Sequence, residues 1–205
     1  MNSLVRKKDY FLVSIIGFFF GLLLLPVLTN LKLSFLKVNF SSGLLIVAGF
    51  MVFALFALWV ASLFGRRIPI LLQFAKFGAV GALNTLLDLG ILNTLIAFSD
   101  IASGYWYSIF KAISFVVASI SGYLWNKYWT FGVSGNINIK EFGQFFIVTL
   151  IGFGINVGIA SFVVNVIGPM GNISPNLWAN VGALMATAIS LIWNFAGYKI
   201  FVFKK

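Results

Sequence analysis

Residues 44–64 read LLIVAGFMVFALFALWVASLF, a stretch without a single charged side chain. At 1.5 Å per helical residue it extends for roughly 30 Å, the thickness of a bilayer's hydrocarbon core. Further apolar runs occupy 10–31, 71–98, 105–126, 142–167 and 177–200. The chain is therefore expected to be an all-α integral membrane protein with six transmembrane helices.

Composition agrees with that reading. Of 205 residues, 61% are hydrophobic and 9% charged, against roughly a quarter charged in a soluble domain. The formal net charge of +10 would raise the question of nucleic acid in a soluble protein. Here the basic residues stand at the ends of apolar runs, where they anchor to anionic headgroups and fix orientation, so membrane lipids are the expected partner and nucleic acid is not. The sequence has no Cys and no His, which removes thiol nucleophiles, imidazole bases and the usual zinc and haem ligands. Asp9, Asp88, Asp100 and Glu141 are its only carboxylates, and Asp9 and Asp100, beside apolar runs, read as solvated helix ends. No catalytic residue, metal site or cofactor is expected, and the protein does not read as an enzyme.

Arg6, Lys7 and Lys8 precede the first run, which is too long for a signal peptide and lacks a small-residue cleavage site, so it is expected to stay as a helix. With the N-terminus in the cytoplasm, these three residues share a side with Arg66, Arg67, Lys76, Lys127, Lys140, Lys199, Lys204 and Lys205, and Lys32 and Lys37 lie outside. The positive-inside bias thus places both termini in the cytoplasm and the protein in the cell membrane. Residues 31–40 alternate in polarity and read as a loop or a short amphipathic surface piece. Pro26 falls inside the first helix, and Pro69 marks the start of the third.

At a shift of 72 positions the chain matches itself: Asn84 with Asn156, Trp106 with Trp178, Lys127 with Lys199, Phe131 with Phe203. Both copies end in Lys-x-aromatic-β-branched-Phe. A duplicated helical hairpin explains this, with repeats at about 71–132 and 143–205 entering the membrane from the same side. The expected organisation is an N-terminal transmembrane hairpin, 1–68, followed by a four-helix core, 69–205, made of two parallel repeated hairpins.

Within that core, residues 74–81 (FAKFGAVG), Asn84-Thr85, Asp88, Lys111, residues 123–131 (YLWNKYWTF) and the terminal Asn194-Phe195 to Phe203 resemble the GtrA-like family. That family also supplies the membrane portion of some dolichol-phosphate mannose synthases. The resemblance covers about 71–205, and the family's usual four-helix form lacks the first hairpin. It implies translocation or presentation of a polyprenyl-phosphate-linked monosaccharide for cell-surface polysaccharide or lipid glycosylation.

Asp88 sits about ten residues, or 15 Å, from the outer end of its helix, where an unpaired carboxylate costs about 3 kcal/mol. Lys111 enters from the same side in the next helix, about 9 Å deep, and an Asp88–Lys111 ion pair is predicted. The second repeat has Ala160 and Ala183 at these positions, so the pair occurs once. Such a pair either borders a polar path for sugar and phosphate or ties two helices together. Asn84 and Asn156 are candidates for the same path, and with Asn93 and Asn165 they need partners inside the bundle. At the cytoplasmic edge Tyr123, Trp125, Asn126, Lys127, Tyr128 and Trp129 form either an aromatic belt or a site for a lipid-linked headgroup phosphate, with Lys199 as the second copy's counterpart. Gly154-x-x-x-Gly158 has close-packing spacing and suits an internal contact or a homodimer.

Three functions fit these features. A lipid-linked-sugar flippase, or its subunit, uses the Asp88–Lys111 region as its route. A scaffold recruits a cytoplasmic glycosyltransferase through the connector 132–140. A small ion-coupled exporter uses Asp88 as its proton-linked carboxylate.

Overall fold

A computed structural model describes residues 5–30, 39–101, 103–171 and 175–204. The surface piece expected at 31–40 falls almost wholly outside the described residues, as do Lys32, Lys37 and Lys205. Among the described residues six α-helices follow in order: α1 Lys7–Asn30, α2 Phe40–Gly65, α3 Pro69–Ser99, α4 Gly104–Trp125, α5 Ile139–Ser161 and α6 Pro175–Gly197. All six are long and apolar enough to cross a membrane, and no strand occurs among the described residues. The protein is an all-α multi-pass membrane protein.

Local chemistry fixes several helix ends. Asn39 caps α2 in a reciprocal box: its carboxamide oxygen accepts from the Ser42 amide at 2.9 Å, and the Ser42 hydroxyl accepts from the Asn39 amide at 2.8 Å. Pro69 opens α3, where its missing N–H costs nothing. Asp100 ends that helix in the left-handed conformation, with its amide bonded back to the Ile96 carbonyl.

Among the described residues three helices end in π-helical turns, Asn126–Thr130 after α4, Phe162–Ile167 after α5 and Tyr198–Val202 after α6. The first and third stand 72 positions apart, the shift of the sequence duplication. Each is closed by the same five-residue bond, from the Phe131 amide to the Asn126 carbonyl at 2.8 Å and from the Phe203 amide to the Tyr198 carbonyl at 2.7 Å. Both closing phenylalanines are buried. The shared Lys-x-aromatic-β-branched-Phe ending is thus a shared backbone device.

The chain forms two compact units, residues 1–132 and 133–205. In the first, α1 packs on both α2 and α3, and its core gathers Val13, Ile16, Leu58, Leu72, Val80, Leu83 and Trp129. The N-terminal hairpin therefore shares a core with the first repeat, while the division at 68/69 follows the duplication. Close packing of α1 on α2 depends on Gly17, where a Cβ would come within 2.6 Å of the Phe50 carbonyl oxygen. In the second unit α5 packs on α6, and the Trp178 indole donates to the Val163 carbonyl at 2.9 Å. Gly154 and Gly158 face open space, so their spacing builds no contact within that unit.

Candidate functional site

The predicted pair forms. Lys111 on α4 donates to one oxygen of Asp88 on α3. The other oxygen accepts from the Ser114 hydroxyl at 2.5 Å. Ser114, one turn along α4 from Lys111, is fully buried and went unnoticed in the sequence; its counterpart at the repeat spacing is Ala186, also fully buried. The charge cluster is open on one side, the Asp88 and Lys111 side chains being 19% and 43% exposed. A half-open ion pair inside a membrane span leaves donor and acceptor capacity facing outward.

Asn84 lies one helical turn before Asp88, on the same face of α3, and its buried side-chain oxygen has no partner among the described residues. The second repeat treats its matching asparagine differently. Asn156 donates to the Ser190 hydroxyl on α6 at 3.2 Å, but the residue matching Ser190 in the first repeat is Ala118. The polar group on α4 has in effect moved one turn, to Ser114. Asn93 donates its amide to the Leu89 carbonyl of its own helix, Asn165 is exposed, and Asn156 meets the expectation of a cross-helix partner.

At the end of α4 the headgroup candidates separate. Tyr123, Asn126, Lys127 and Trp129 are buried, Trp125 is half-buried, and Tyr128 and Lys199 are exposed. Lys127 is only 2% exposed. Its ammonium donates to the Tyr123 hydroxyl at 3.2 Å and lies over the rings of Tyr123 and Tyr128. The Asn126 amide nitrogen bonds the Gly122 carbonyl at 2.8 Å, and its oxygen is buried without a partner among the described residues. Of the two repeat-related lysines, Lys199 alone is presented at the surface.

Asp9 corrects the sequence expectation. It is no solvated end but 2% exposed. One oxygen accepts from Lys76 on α3 at 2.5 Å and from the Trp129 indole at 3.0 Å, and the other from the Arg6 amide at 2.8 Å. Lys76 also lies over the Trp129 ring, 5.4 Å from its centroid. This buried cluster ties α1 to α3 and to the π turn after α4.

The family model for the GtrA/DPMS transmembrane domain matches residues 76–203. This chain belongs to that family. No curated protein and no solved structure matches it. As a GtrA/DPMS membrane domain the chain is tied to polyprenyl-phosphate-sugar metabolism at a membrane, and the match takes in Asp88, Lys111 and both repeat-related π turns, with α1 and α2 lying outside it.

Proposed function

We propose that this protein translocates, or presents for transfer, a polyprenyl-phosphate-linked monosaccharide across the cytoplasmic membrane. It does so without catalytic chemistry of its own, and both termini lie in the cytoplasm. The observation that carries the reading is the half-open Asp88–Lys111–Ser114 cluster beside the unpartnered Asn84 oxygen. A sugar ring brings hydroxyls that donate to Asn84 and Asp88, and a phosphate brings oxygens for Lys111. The polyprenyl tail stays in lipid while the head crosses. A second copy facing this open side would complete the route, which makes a homodimer part of the proposal.

Proteoliposomes holding a fluorescent polyprenyl-phosphate monosaccharide test it, with membrane-impermeant quenching as the readout. Asp88→Asn and Lys111→Ala are expected to slow translocation by about tenfold or more, the effect of about 1.4 kcal/mol on a barrier, while the protein stays folded. Unchanged rates in both variants would reject this route.

A second reading has its own support. The connector after the first unit exposes Ile137 and Ile139, at 63% and 87%. Exposed apolar side chains there suit a scaffold that holds a cytoplasmic glycosyltransferase at the membrane. Replacing both by Ser should then abolish co-purification of that enzyme and leave translocation intact.

A further inference from the structure

A cavity of about 300 Å³ lies within the first unit between α1, α2 and α3. Small residues, Gly17, Ala54, Ala75 and Ala79, line it together with Phe20 and Phe50. Lys76 and Trp129 also line it. Two of the three enclosing helices belong to the hairpin that precedes the family match.

Lys76 is held in place but not used up. Its ammonium has three donors, and among the described residues it makes one hydrogen bond, to Asp9. Two donors remain beside the cavity. Depth also suits a lipid head. α3 has 31 residues, about 46 Å of helix against a core of about 30 Å, so Lys76, about 10 Å from its start, falls near the headgroup boundary. Arg6, Lys7, Lys8, Arg66 and Arg67 are all exposed around this same end of the helices. Because Asp9 neutralises Lys76, these five set the local sign, and they favour an anion.

The cavity's shape selects the chain. Away from Lys76 the lining is apolar and suits apolar groups, about ten of them at roughly 30 Å³ each. That is room for roughly two five-carbon isoprene units. The alanines Ala54, Ala75 and Ala79 keep the lining free of bulky side chains where a methyl branch would lie. A phospholipid brings two chains on one head, whereas a polyprenyl phosphate brings one.

We infer that this cavity seats the head-proximal isoprene units of a polyprenyl phosphate, with a phosphate oxygen accepting from Lys76. The inference rests on the reading above that the cargo is polyprenyl-linked. On it, the added hairpin holds the tail while the head engages the core.

The test uses the full chain in phosphatidylcholine–phosphatidylglycerol vesicles with a polyprenyl phosphate bearing a diazirine in its first isoprene units. After irradiation, labelled peptides are mapped by mass spectrometry. Labels are expected on α1, α2 and α3 around Gly17, Ala54 and Ala79, reduced about tenfold by excess unlabelled polyprenyl phosphate, as a saturable site requires. Equal excesses of phosphatidylglycerol or inorganic phosphate should leave them unchanged. Competition by phosphatidylglycerol would show ordinary bilayer lipid in the cavity and overturn the inference, as would labels confined to other helices. Ala79→Phe and Ala54→Phe fill the cavity from opposite helices, and either, if folded, should remove most of the labelling. If neither folds, the wild-type competition decides alone. Cavity labelling without translocation would sink the function proposed above and leave the tail site standing; translocation without cavity labelling would do the reverse.

Discussion

The indole nitrogen of Trp129 donates a 3.0 Å hydrogen bond to Asp9, 120 residues earlier in the chain, and Lys76 completes a buried triad with both. The carboxylate thus meets α3 and the π turn after α4 through its side chain alone. The Asp9 carboxylate is almost fully buried, so water does not stand in for these partners, and the triad ties the N-terminal hairpin to the first repeat.

Removal of one charge should therefore be costly. Asp9→Ala leaves the Lys76 ammonium beside an apolar cavity without its counter-ion, and breaking a buried pair from one side costs about 3–5 kcal/mol. Thermal unfolding in detergent should show a large loss for Asp9→Ala and for Lys76→Ala. The double variant Asp9→Leu/Lys76→Met should recover much of it, since it buries no unpaired charge. Additive losses in the double variant would mean the two residues act independently.

The second charge pair should behave differently. Asp88 and Lys111 are partly exposed, and exchange of the two, Asp88→Lys with Lys111→Asp, keeps opposite charges on facing turns. Stability by the same melt is expected to stay near wild type. Translocation should still fall by about tenfold, because the cation moves about 5 Å or more from the position at which the proposed route has it meet a phosphate. Wild-type translocation in the exchanged protein would assign the pair to packing alone.

How much of this was visible in the sequence depends on how far each relationship reaches along the chain. The six spans followed from run length alone. Asp88 and Lys111 could be paired by counting because the connector between α3 and α4 is short, so their depths follow from helix rise. Asp9 could not. Its partners lie 67 and 120 residues away, and α1 is apolar on nearly every face, so no periodicity marks the side turned to α3. Lys127 misled for a related reason: a lysine at a helix end normally snorkels to the interface, but it lies inside a π turn, whose wider register carries it inward beside Tyr123. The repeat predicted that the two endings would match, and they do in backbone. The different burial of Lys127 and Lys199 depends on packing that the shared pattern does not encode.

The orphaned Asn84 oxygen gives a test of the repeat itself. Ser190 serves Asn156 in the second copy, and Ala118 stands at its place in the first. Ser190→Ala should destabilise by about 0.6 kcal/mol, the typical worth of one hydrogen bond between membrane helices. Ala118→Ser should stabilise by a similar amount by giving the Asn84 amide nitrogen an acceptor, as Ser190 does for Asn156, and should slow translocation if the carboxamide so held is needed to receive sugar hydroxyls. A faster or unchanged rate with higher stability would assign Asn84 to packing rather than to the route.

Close approach in the second unit makes the last prediction. A Cβ on Gly152 would strike the Asn194 carboxamide, coming within 2.8 Å of its Cγ and closer still to its oxygen, which is buried without a partner among the described residues. Gly154, two residues on, faces open space. Gly152→Ala is therefore expected to cost about 1–3 kcal/mol by overpacking, seen as a lower melting temperature and a smaller folded fraction on size-exclusion chromatography. Gly154→Ala should leave the melt of the monomer unchanged, since no neighbour has to move. The two variants add the same methyl group to the same helix, so a difference between them isolates the α5–α6 contact from any general effect of helix propensity. If Gly154→Ala proved the more harmful, the face carrying Gly154 and Gly158 would be a packed interface with a second copy, and a lower apparent mass on chromatography would accompany the loss.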